Sequence, residues 1–429
     1  MANIYPHSFQ KLHNDIKIGG CSLKDLAEEF GTPLYVLDEG TIRDNCQLFT
    51  KTLTEHYPNF TIAYASKANL NIGIANVIAD EGCGADVVSG GELFTVLKSD
   101  INPDKVYFHG NNKSATELEL AIRNDIRIVV DNKYELSLIE AISNQLGKKA
   151  LIMLRIKPGI EAHTHEYIKT GQIDSKFGLG LDEALPLIKA ISDSSWGDFI
   201  GIHAHIGSQI FDIQPYQDLV AILVDYIAKI KATYNILINE LNFGGGFGIK
   251  YTDNDNAPDI KAIILSMINE LNLLCETKQL QHPKVIFEPG RSIIANAGVT
   301  LYSVGATKDI PGVKNYMFVD GGMADNPRPI MYQAKYSFDI VSPSSPDRKS
   351  YTIAGKFCES GDILAHDVSL PIAKANDFVV VYGTGAYNYS MASNYNRYCK
   401  PAMVLISSGN AKCIIRRETF EDIIRYDQL

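Results

Sequence analysis

Three short stretches of the sequence carry residue types that can do chemistry. AYASKAN places Lys67 at the end of a β-like run, NFGGGFG holds three glycines in a row, and EPGR places Glu288 before a proline. A lysine amine can act as a nucleophile, and consecutive glycines can turn several backbone NH groups toward an anion. Each stretch also has an ordinary explanation, because lysines belong mostly to solvated loops, and glycine runs and exposed acids are common in turns.

Eight β-like runs lead into stretches of this kind. Between residues 61 and 288, short apolar runs alternate with longer segments of helical period, a pattern typical of repeated βα units around a parallel sheet. Eight such units close a barrel, so we predict a (β/α)8 TIM barrel. The predicted strands are TIAYA (61–65), ADVVS (85–89), VYFH (106–109), IRIVVD (126–131), ALIMLRI (150–156), GIHAHI (201–206), NELNF (239–243) and KVIFE (284–288).

Helix signals stand between the predicted strands. SATE (114–117) has the capping-box pattern, because Ser114 can accept from the backbone NH of Glu117 while the Glu117 side chain reaches back. Helical spacing of apolar residues predicts three further helices. They cover NKYELSLIEAI (132–142), YQDLVAILVDYIAKI (216–230) and DIKAIILSMINEL (259–271).

The side chains at the strand ends indicate what the barrel does, because (β/α)8 barrels build their chemistry there and usually bind phosphate after strands seven and eight. The glycine run follows the seventh strand. A phosphate in the same mouth as a lysine and an acid indicates pyridoxal 5′-phosphate, with Lys67 as the Schiff-base amine and Glu288 paired with the ring nitrogen. An acid there keeps the nitrogen protonated, which favours decarboxylation. The strand-end residues are Lys67, Ser89, His109, Asp131, Arg155, His205, Gly244, Gly245, Gly246, Glu288 and Arg291.

The texture of the sequence changes after residue 293. Alternating runs rich in Tyr and Val, such as VTLYSV (299–304) and DFVVVYG (377–383), predict an antiparallel β domain, either a sandwich or a barrel. TPLYVLDEG (32–40) has the same character, so the N-terminal segment is expected to join that domain. The expected ranges are 1–37 for the N-terminal segment, 38–294 for the cofactor-binding barrel and 295–429 for the C-terminal β domain.

Composition and charge exclude several classes of protein. The chain has 429 residues, is 45% hydrophobic and carries a net charge of −10, which disfavours nucleic-acid backbones and anionic membranes as partners. No apolar run approaches the length of a membrane span. The seven cysteines form no C-x-x-C pair, so we expect the protein to be located in the reducing cytoplasm. A plastid location stays open, in case a transit peptide was removed.

A set of longer motifs resembles the diaminopimelate decarboxylase family, which belongs to the alanine-racemase-like, ornithine-decarboxylase-related class of pyridoxal phosphate enzymes. The resemblance covers nearly the whole chain. It implies decarboxylation of meso-2,6-diaminopimelate to L-lysine and CO2, the last step of lysine biosynthesis, by a homodimer with active sites at the subunit interface. The motifs are GTPLYVLDE, YASKAN, DVVSGGEL, HGNNKS, THEYIKTGQIDSKFG, HAHIGSQI, NFGGGFG, EPGRSI, NPRPIMY, CESGDIL and GAYNYSMASNYN.

The resemblance assigns cofactor roles residue by residue. It implies that Lys67 forms the Schiff base, that His205 stacks on one face of the ring and that Glu288 pairs with the ring nitrogen. Taken alone, a histidine at a strand end is more often a structural group. The other cofactor-binding residues that the resemblance implies are Ser208, Gly244, Gly245, Gly246, Gly290, Arg291 and Tyr387.

The resemblance also assigns substrate roles. It gives the distal carboxylate to Arg291, Arg328 and Tyr332 and the distal ammonium to Glu359, with Tyr387 in contact as well. A planar guanidinium suits a carboxylate because the two can form paired hydrogen bonds. Taken alone, either arginine is more often part of a surface or interface salt bridge.

Two further features follow from the resemblance. Cys358 matches the family's proton donor, which comes from the partner subunit and protonates Cα after CO2 leaves, although a free cysteine is often only a small buried apolar residue. The long segment 157–180 contains THEYIKTG, similar to the family's closing loop, so we expect a lid. His163 and His165 in that segment could imitate a metal pair, but the family has no metal.

Two departures from the family pattern and three alternatives stay open. Phe357 stands where the family commonly has an aliphatic residue, and Pro327 is an extra proline beside Arg328, so both could adjust the distal pocket. A sister decarboxylase acting on ornithine, arginine, lysine or a carboxyspermidine would meet a cationic group with acids rather than arginines. An amino-acid racemase of this fold typically has arginine where Glu288 stands, and a catalytically silent regulatory homologue typically lacks the lysine or the phosphate loop.

Overall fold

The structure is a computed structural model that describes residues 4–12, 15–159, 176–256 and 258–428. The chain forms two compact units. Of the described residues, those between 45 and 248 and between 258 and 292 form the first unit, and those between 4 and 44, 249 and 256, and 293 and 428 form the second. The domain ranges expected from the sequence stay a prediction.

The N-terminal elements belong to the second unit. A small antiparallel sheet comes first and is followed by a helix, whose N-terminus is capped by the side chain of Ser22. A fully buried strand ends this segment. The elements are β1 (Gln10–Leu12), β2 (Asp15–Ile18), β3 (Cys21–Ser22), α1 (Leu23–Phe30) and β4 (Leu34–Asp38).

A closed barrel of eight parallel strands forms the centre of the first unit. Each predicted run overlaps one strand, so the predicted (β/α)8 barrel is confirmed. Ala63, Tyr107, Val129, Met153 and Ile286 form one buried cluster, which makes the barrel interior a packed core. The strands are β5 (Phe60–Ala65), β6 (Gly84–Val87), β7 (Val106–Phe108), β8 (Arg127–Val130), β9 (Ala150–Arg155), β10 (Gly197–His203), β11 (Glu240–Asn242) and β12 (Lys284–Phe287).

Most of the helices that connect the barrel strands have a polar residue as their N-cap. The predicted capping box is present, with Ser114 and Glu117 satisfying each other's backbone NH groups. Asn71, Ser89 and Asn132 cap three other helices, each through a side-chain oxygen that accepts from one backbone NH of the first turn. The connecting helices are α3 (Ile72–Asp80), α4 (Gly90–Val96), α5 (Ala115–Arg123), α6 (Lys133–Leu146), α7 (Leu181–Ser192), α8 (Gln214–Tyr234) and α9 (Ile260–Thr277), while α2 (Glu39–His56) precedes the first barrel strand and α10 (Arg291–Ile294) follows the last.

The second unit contains a nine-stranded sheet that includes β4. Its longest strand, β13 (Gly298–Ile310), pairs with β4 through its first part and with β14 (Lys314–Val319) through its second part. A bulge between Val304 and Ala306 interrupts the pairing with β14. The remaining elements are β13 (Gly298–Ile310), β14 (Lys314–Val319), α11 (Arg328–Tyr332), β15 (Phe338–Ile340), β16 (Arg348–Ala354), β17 (Ile363–Pro371), β18 (Phe378–Tyr382), β19 (Ala402–Ser407), β20 (Asn410–Ile415) and α12 (Phe420–Ile424).

This sheet is mixed rather than purely antiparallel. Most of its strand pairs are antiparallel, but β4 pairs with β19 and β14 pairs with β16 in parallel. A parallel pair needs a long connection, and β4 and β19 are separated by the whole barrel sequence. Among the described residues, no helix is long and apolar enough to cross a membrane.

Candidate active site

Lys67 lies in a single 3-10 turn, Ser66–Ala68, directly after β5. Its side chain is exposed, whereas both neighbours in the turn are buried. The Tyr64 hydroxyl donates to the carbonyl of Asn69 at 2.8 Å and braces this turn. The barrel therefore presents one amine at the carboxyl end of its first strand.

Glu288 follows β12 and is only 6% exposed. Its Oε1 accepts two hydrogen bonds, from His109 Nε2 at 2.7 Å and from Asn242 Nδ2 at 2.6 Å. Its Oε2 lies 3.3 Å from His203 Nε2. Three strand ends, those of β7, β10 and β11, thus direct polar side chains at one buried carboxylate.

This environment keeps Glu288 ionised. Burial alone would raise the pKa of the carboxyl, but the interaction with the His109 imidazole, followed by that with the nearby His203 ring, outweighs burial and holds it well below its usual range. Burial lowers the pKa of His203 to about 3, so that ring is neutral at pH 7. Burial raises the pKa of Asp86, whose Oδ1 lies 3.7 Å from His109 Nε2. Of the two carboxyls around His109, Glu288 is therefore the stable anion.

The glycine run after β11 packs too tightly for any side chain. A Cβ on Gly244 would lie 2.8 Å from His205 Nδ1, and a Cβ on Gly245 would collide with the carbonyl oxygen of Glu288. Gly244 also has φ of +68°, which favours glycine. The run therefore keeps a bare backbone at the place where barrels of this type bind phosphate.

His205 and Ser208 lie on the loop after β10. The NH of Gly245 donates to His205 Nδ1 at 3.3 Å, which leaves Nε2 as the protonated nitrogen of a neutral ring. Burial, followed by the positive charge of Lys67, holds the pKa of His205 well below its usual value. Arg291 Nη2 donates to Ser208 Oγ at 3.1 Å, so the structure brings these two predicted site residues together.

In the second unit, Arg328 begins α11 and is buried. Its Nη1 donates to the Tyr336 hydroxyl at 2.6 Å, and its guanidinium lies 5.1 Å from the centre of the Tyr251 ring. Burial alone would lower the pKa of Arg328, but the two tyrosines raise it above its usual value, so the charge is permanent. Tyr332 ends the same helix, and Pro327 is its N-cap residue.

Cys358 and Glu359 are exposed on the loop between β16 and β17. The NH of Cys358 donates to Asn396 Oδ1 at 2.9 Å, and the NH of Phe357 donates to Asp362 Oδ2 at 2.9 Å. These bonds fix the loop backbone while leaving the thiol and the carboxylate outside. The Phe357 ring stacks edge-on against Tyr398, with centroids 5.2 Å apart.

Tyr387 adopts φ of +61°, a conformation that is rare for a bulky residue. Such strain persists only where the surroundings enforce it, and it is concentrated at functional sites. This supports the role predicted for Tyr387 without testing it.

Other strand-end residues have structural partners. Ser89 caps α4, and Asp131 lies 3.9 Å from Arg155 Nε. Arg155 also stacks on the ring of Phe177, 4.4 Å from its centre. The residues of THEYIKTG, with His163 and His165, lie outside the described part of the chain, so the predicted lid stays a prediction.

Sequence reasoning missed Asp86, His203 and Asn242 as parts of the site. Each occupies the last or next-to-last position of its strand, two or three residues before the residue that was selected. Within the described ranges, His109, His203 and Glu288 also have ligand atoms within 4.8 Å of one another, as in a metal site. The Asn242 amide donates to the same Glu288 oxygen as His109, which indicates a hydrogen-bonded network instead.

Comparison with known proteins decides the family. Residues 39–295 match the family model for the pyridoxal binding domain of pyridoxal-dependent decarboxylases. A diaminopimelate decarboxylase of Synechocystis is 45% identical over 97% of this chain and 91% of its own length. One from Bacillus subtilis is 42% identical over 98% of this chain and 97% of its own length. The chain belongs to the diaminopimelate decarboxylase family.

Solved structures of the diaminopimelate decarboxylase family agree with this fold. The crystal structure of the M. jannaschii diaminopimelate decarboxylase in complex with L-lysine has a TM-score of 0.94 and 35% identity, and covers 99% of this chain and 98% of that chain. The predicted resemblance is therefore confirmed.

Pyridoxal 5′-phosphate is the cofactor of the diaminopimelate decarboxylase family, and the residues present fit it. The barrel offers an amine, an ionised buried carboxylate and a glycine backbone that a Cβ would obstruct. The roles of individual residues remain predictions.

Proposed function

We propose that this protein decarboxylates meso-2,6-diaminopimelate to L-lysine and CO2 with pyridoxal 5′-phosphate, the last step of lysine biosynthesis. The observation that carries the proposal is the buried, ionised Glu288 in the mouth of a barrel that also presents Lys67. Pyridoxal 5′-phosphate, when bound, supplies a ring that takes up the electron pair left at Cα when CO2 departs.

The barrel residues divide the work of holding that ring. Lys67 holds the cofactor covalently, and Glu288 keeps the proton on the ring nitrogen because its own pKa is depressed. His205 borders the ring as a neutral imidazole. Ser208 and Arg291 act with the glycine run and Gly290, where bare NH groups favour an anion. The glycines of the run are Gly244, Gly245 and Gly246.

The distal end of the substrate distinguishes this reaction from related ones. We assign the distal carboxylate to Arg291, Arg328 and Tyr332, and the distal ammonium to Glu359. Arg328 supports this assignment because it is buried against tyrosines and carries a permanent charge with no carboxylate partner in the part of the chain that the structure describes. A substrate with only a distal ammonium has no use for that charge. Tyr387 is proposed to contact both substrate and cofactor.

Proton return completes the reaction. The bond between Cα and the carboxylate carbon breaks, CO2 leaves, and Cα takes one proton to give L-lysine. We assign that proton to the Cys358 thiol, which is exposed on its own unit and therefore available to a second copy of the chain. A homodimer in which each subunit lends Cys358 to the other follows from this assignment. The free cysteines support a reducing compartment, and we propose the cytoplasm.

The proposal is tested by incubating purified protein and pyridoxal 5′-phosphate with meso-diaminopimelate and measuring CO2 and L-lysine. Equimolar CO2 and L-lysine are expected, with no CO2 from L-lysine, L-arginine or L-ornithine in parallel reactions. Release of CO2 from one of those three and none from meso-diaminopimelate would identify a sister decarboxylase. Absence of CO2 from all substrates, together with no visible absorbance of the bound cofactor, would identify a silent homologue.

A further inference from the structure

The hydrogen bonds around Glu288 are unequally distributed between its two oxygens. Oε1 accepts from both His109 and Asn242, at 2.7 and 2.6 Å. Oε2 lies 3.3 Å from Nε2 of the neutral His203 ring, and neither nitrogen of that ring makes a hydrogen bond within the described part of the chain. One oxygen is therefore engaged by two donors, and the other is held much more loosely.

Hydrogen bonds of the backbone at and next to His109 fix the position of its ring. The NH of His109 donates to the carbonyl of Val87 at 2.8 Å, on the neighbouring strand β6. The next carbonyl, that of Gly110, accepts from Lys113 Nζ at 2.8 Å, and Lys113 is itself paired with buried Glu135. These bonds fix the start of the HGNNK loop, so the ring points at Glu288 without depending on a ligand.

Charges from several strands surround this ring. Asp86 on β6 lies 3.7 Å from its Nε2, and the His203 ring on β10 meets it edge-on with centroids 4.6 Å apart. Arg155 on β9 and Lys67 after β5 act on the Asp86 carboxyl through their positive charges, and Arg155 also interacts with Glu288. Of these groups, only Glu288 forms a hydrogen bond to His109 in the described structure.

We propose that His109 is a positioning residue that, together with Asn242, fixes Oε1 of Glu288 and so leaves Oε2 for the ring nitrogen of the cofactor. This inference rests on the proposed function, because it takes Glu288 as the partner of that nitrogen. His109 touches neither substrate nor reacting atom in this role. It acts by preventing the carboxylate from rotating and by keeping it ionised.

The test compares His109→Leu with His109→Gln, whose side-chain NH2 can replace the lost Nε2 donor. The apo-protein is labelled with δ-13C glutamate, the Glu288 signal is identified by its loss in Glu288→Gln, and the carboxyl pKa is measured by NMR. His109→Leu should raise the pKa of Glu288 toward neutrality, because burial is then less opposed. It should also weaken binding of pyridoxal 5′-phosphate to the apo-protein by about 10- to 100-fold, the effect of one hydrogen bond to a charged group.

His109→Gln should restore most of the cofactor affinity and keep the pKa of Glu288 low. His282→Leu, at an exposed histidine elsewhere in the first unit, should change neither quantity. If His109→Leu does not fold, Asn242→Leu removes the other donor to Oε1 and should shift the pKa in the same direction. An unchanged Glu288 pKa with unchanged cofactor affinity in these variants would overturn the inference.

Failure of the proposed function would look different. In that case the wild type would release no CO2 from meso-diaminopimelate, while the Glu288 pKa and the cofactor affinity would still respond to His109→Leu. Lower thermal stability alone, with both quantities unchanged, would mean that His109 is only structural and would refute the positioning role. In the active enzyme, the acid limb of the pH profile of kcat/KM should move to higher pH in His109→Leu and not in His109→Gln.

Discussion

The barrel and the mixed sheet hold their candidate functional groups in opposite ways. In the barrel, Glu288 is buried and bonded to side chains from two other strand ends. In the sheet unit, Cys358 and Glu359 are exposed; the Cys358 backbone is held by Asn396, and the Glu359 carboxylate accepts a long hydrogen bond of 3.4 Å from the NH of Gly361. Arg328 is intermediate, because it is buried but meets tyrosines rather than acids.

This difference corresponds to two kinds of task. Groups that control the protonation of a cofactor must themselves keep one charge state. Burial together with fixed hydrogen-bond donors maintains that charge state. Groups that meet a substrate or a second subunit must stay accessible. Four substitutions test this division, beginning with the largest expected effect.

Lys67→Ala should abolish both turnover and the visible absorbance of the lysine-bound cofactor, because no other group replaces the covalent amine. Absorbance spectra before and after borohydride reduction, with assays of CO2 release, measure this. Lys51→Ala, at an exposed lysine on α2, is the matched control and should behave as wild type. Retained colour with full turnover in Lys67→Ala would refute the assignment.

Cys358→Ala should lower kcat by about 10²- to 10⁴-fold, the usual contribution of a positioned proton donor, with a smaller change in KM. Steady-state assays of L-lysine formation measure it. Cys413→Ala removes another exposed thiol and should leave kcat unchanged. Equal rates for Cys358→Ala and Cys413→Ala would show that the exposed loop does not deliver the proton.

Arg328→Ala should raise the KM for meso-diaminopimelate by roughly 10- to 100-fold, since a charged hydrogen bond contributes ~1.5–3 kcal/mol. The inhibition constant of L-lysine, which lacks the distal carboxylate, should change much less. Arg328→Lys keeps the charge but cannot form the paired hydrogen bonds of a guanidinium, so its KM for meso-diaminopimelate should lie between those of wild type and Arg328→Ala. Equal losses for both ligands would show that Arg328 does not read that carboxylate.

Asp325→Asn should have the smallest effect, and that effect should be on the pH dependence of thermal stability rather than on activity. Burial raises the pKa of Asp325 from 3.8 to about 7, although Tyr302 and the NH of Gly322 oppose the shift. The folded protein therefore binds more protons here than the unfolded chain, so this group's contribution to stability falls as pH rises through that interval. Between about pH 5 and pH 7.5, the Tm of Asp325→Asn should therefore fall less than the Tm of the wild type. Parallel Tm curves for the two proteins would contradict the raised pKa.

Much of the architecture could be read from local patterns. The eight strand runs, the Ser114 capping box and the helix of residues 132–142 follow from apolar period and caps, which act over a few residues. The parallel pairing of β4 with β19 could not be read this way, because alternation along a strand does not encode the direction of its neighbour.

At the site, the sequence by itself determined which residue types stand at the strand ends, and Lys67, the glycine run and Glu288 were found there because barrel topology assigns chemistry to those positions. Only the tertiary structure decided which donors meet Glu288. His109 lies 179 residues away from it in the chain, and Asn242 lies 46 residues away, yet both bond to the same oxygen. Closure of the barrel brings these strand ends together, and the resulting burial, rather than any local pattern, sets the charge on the carboxylate.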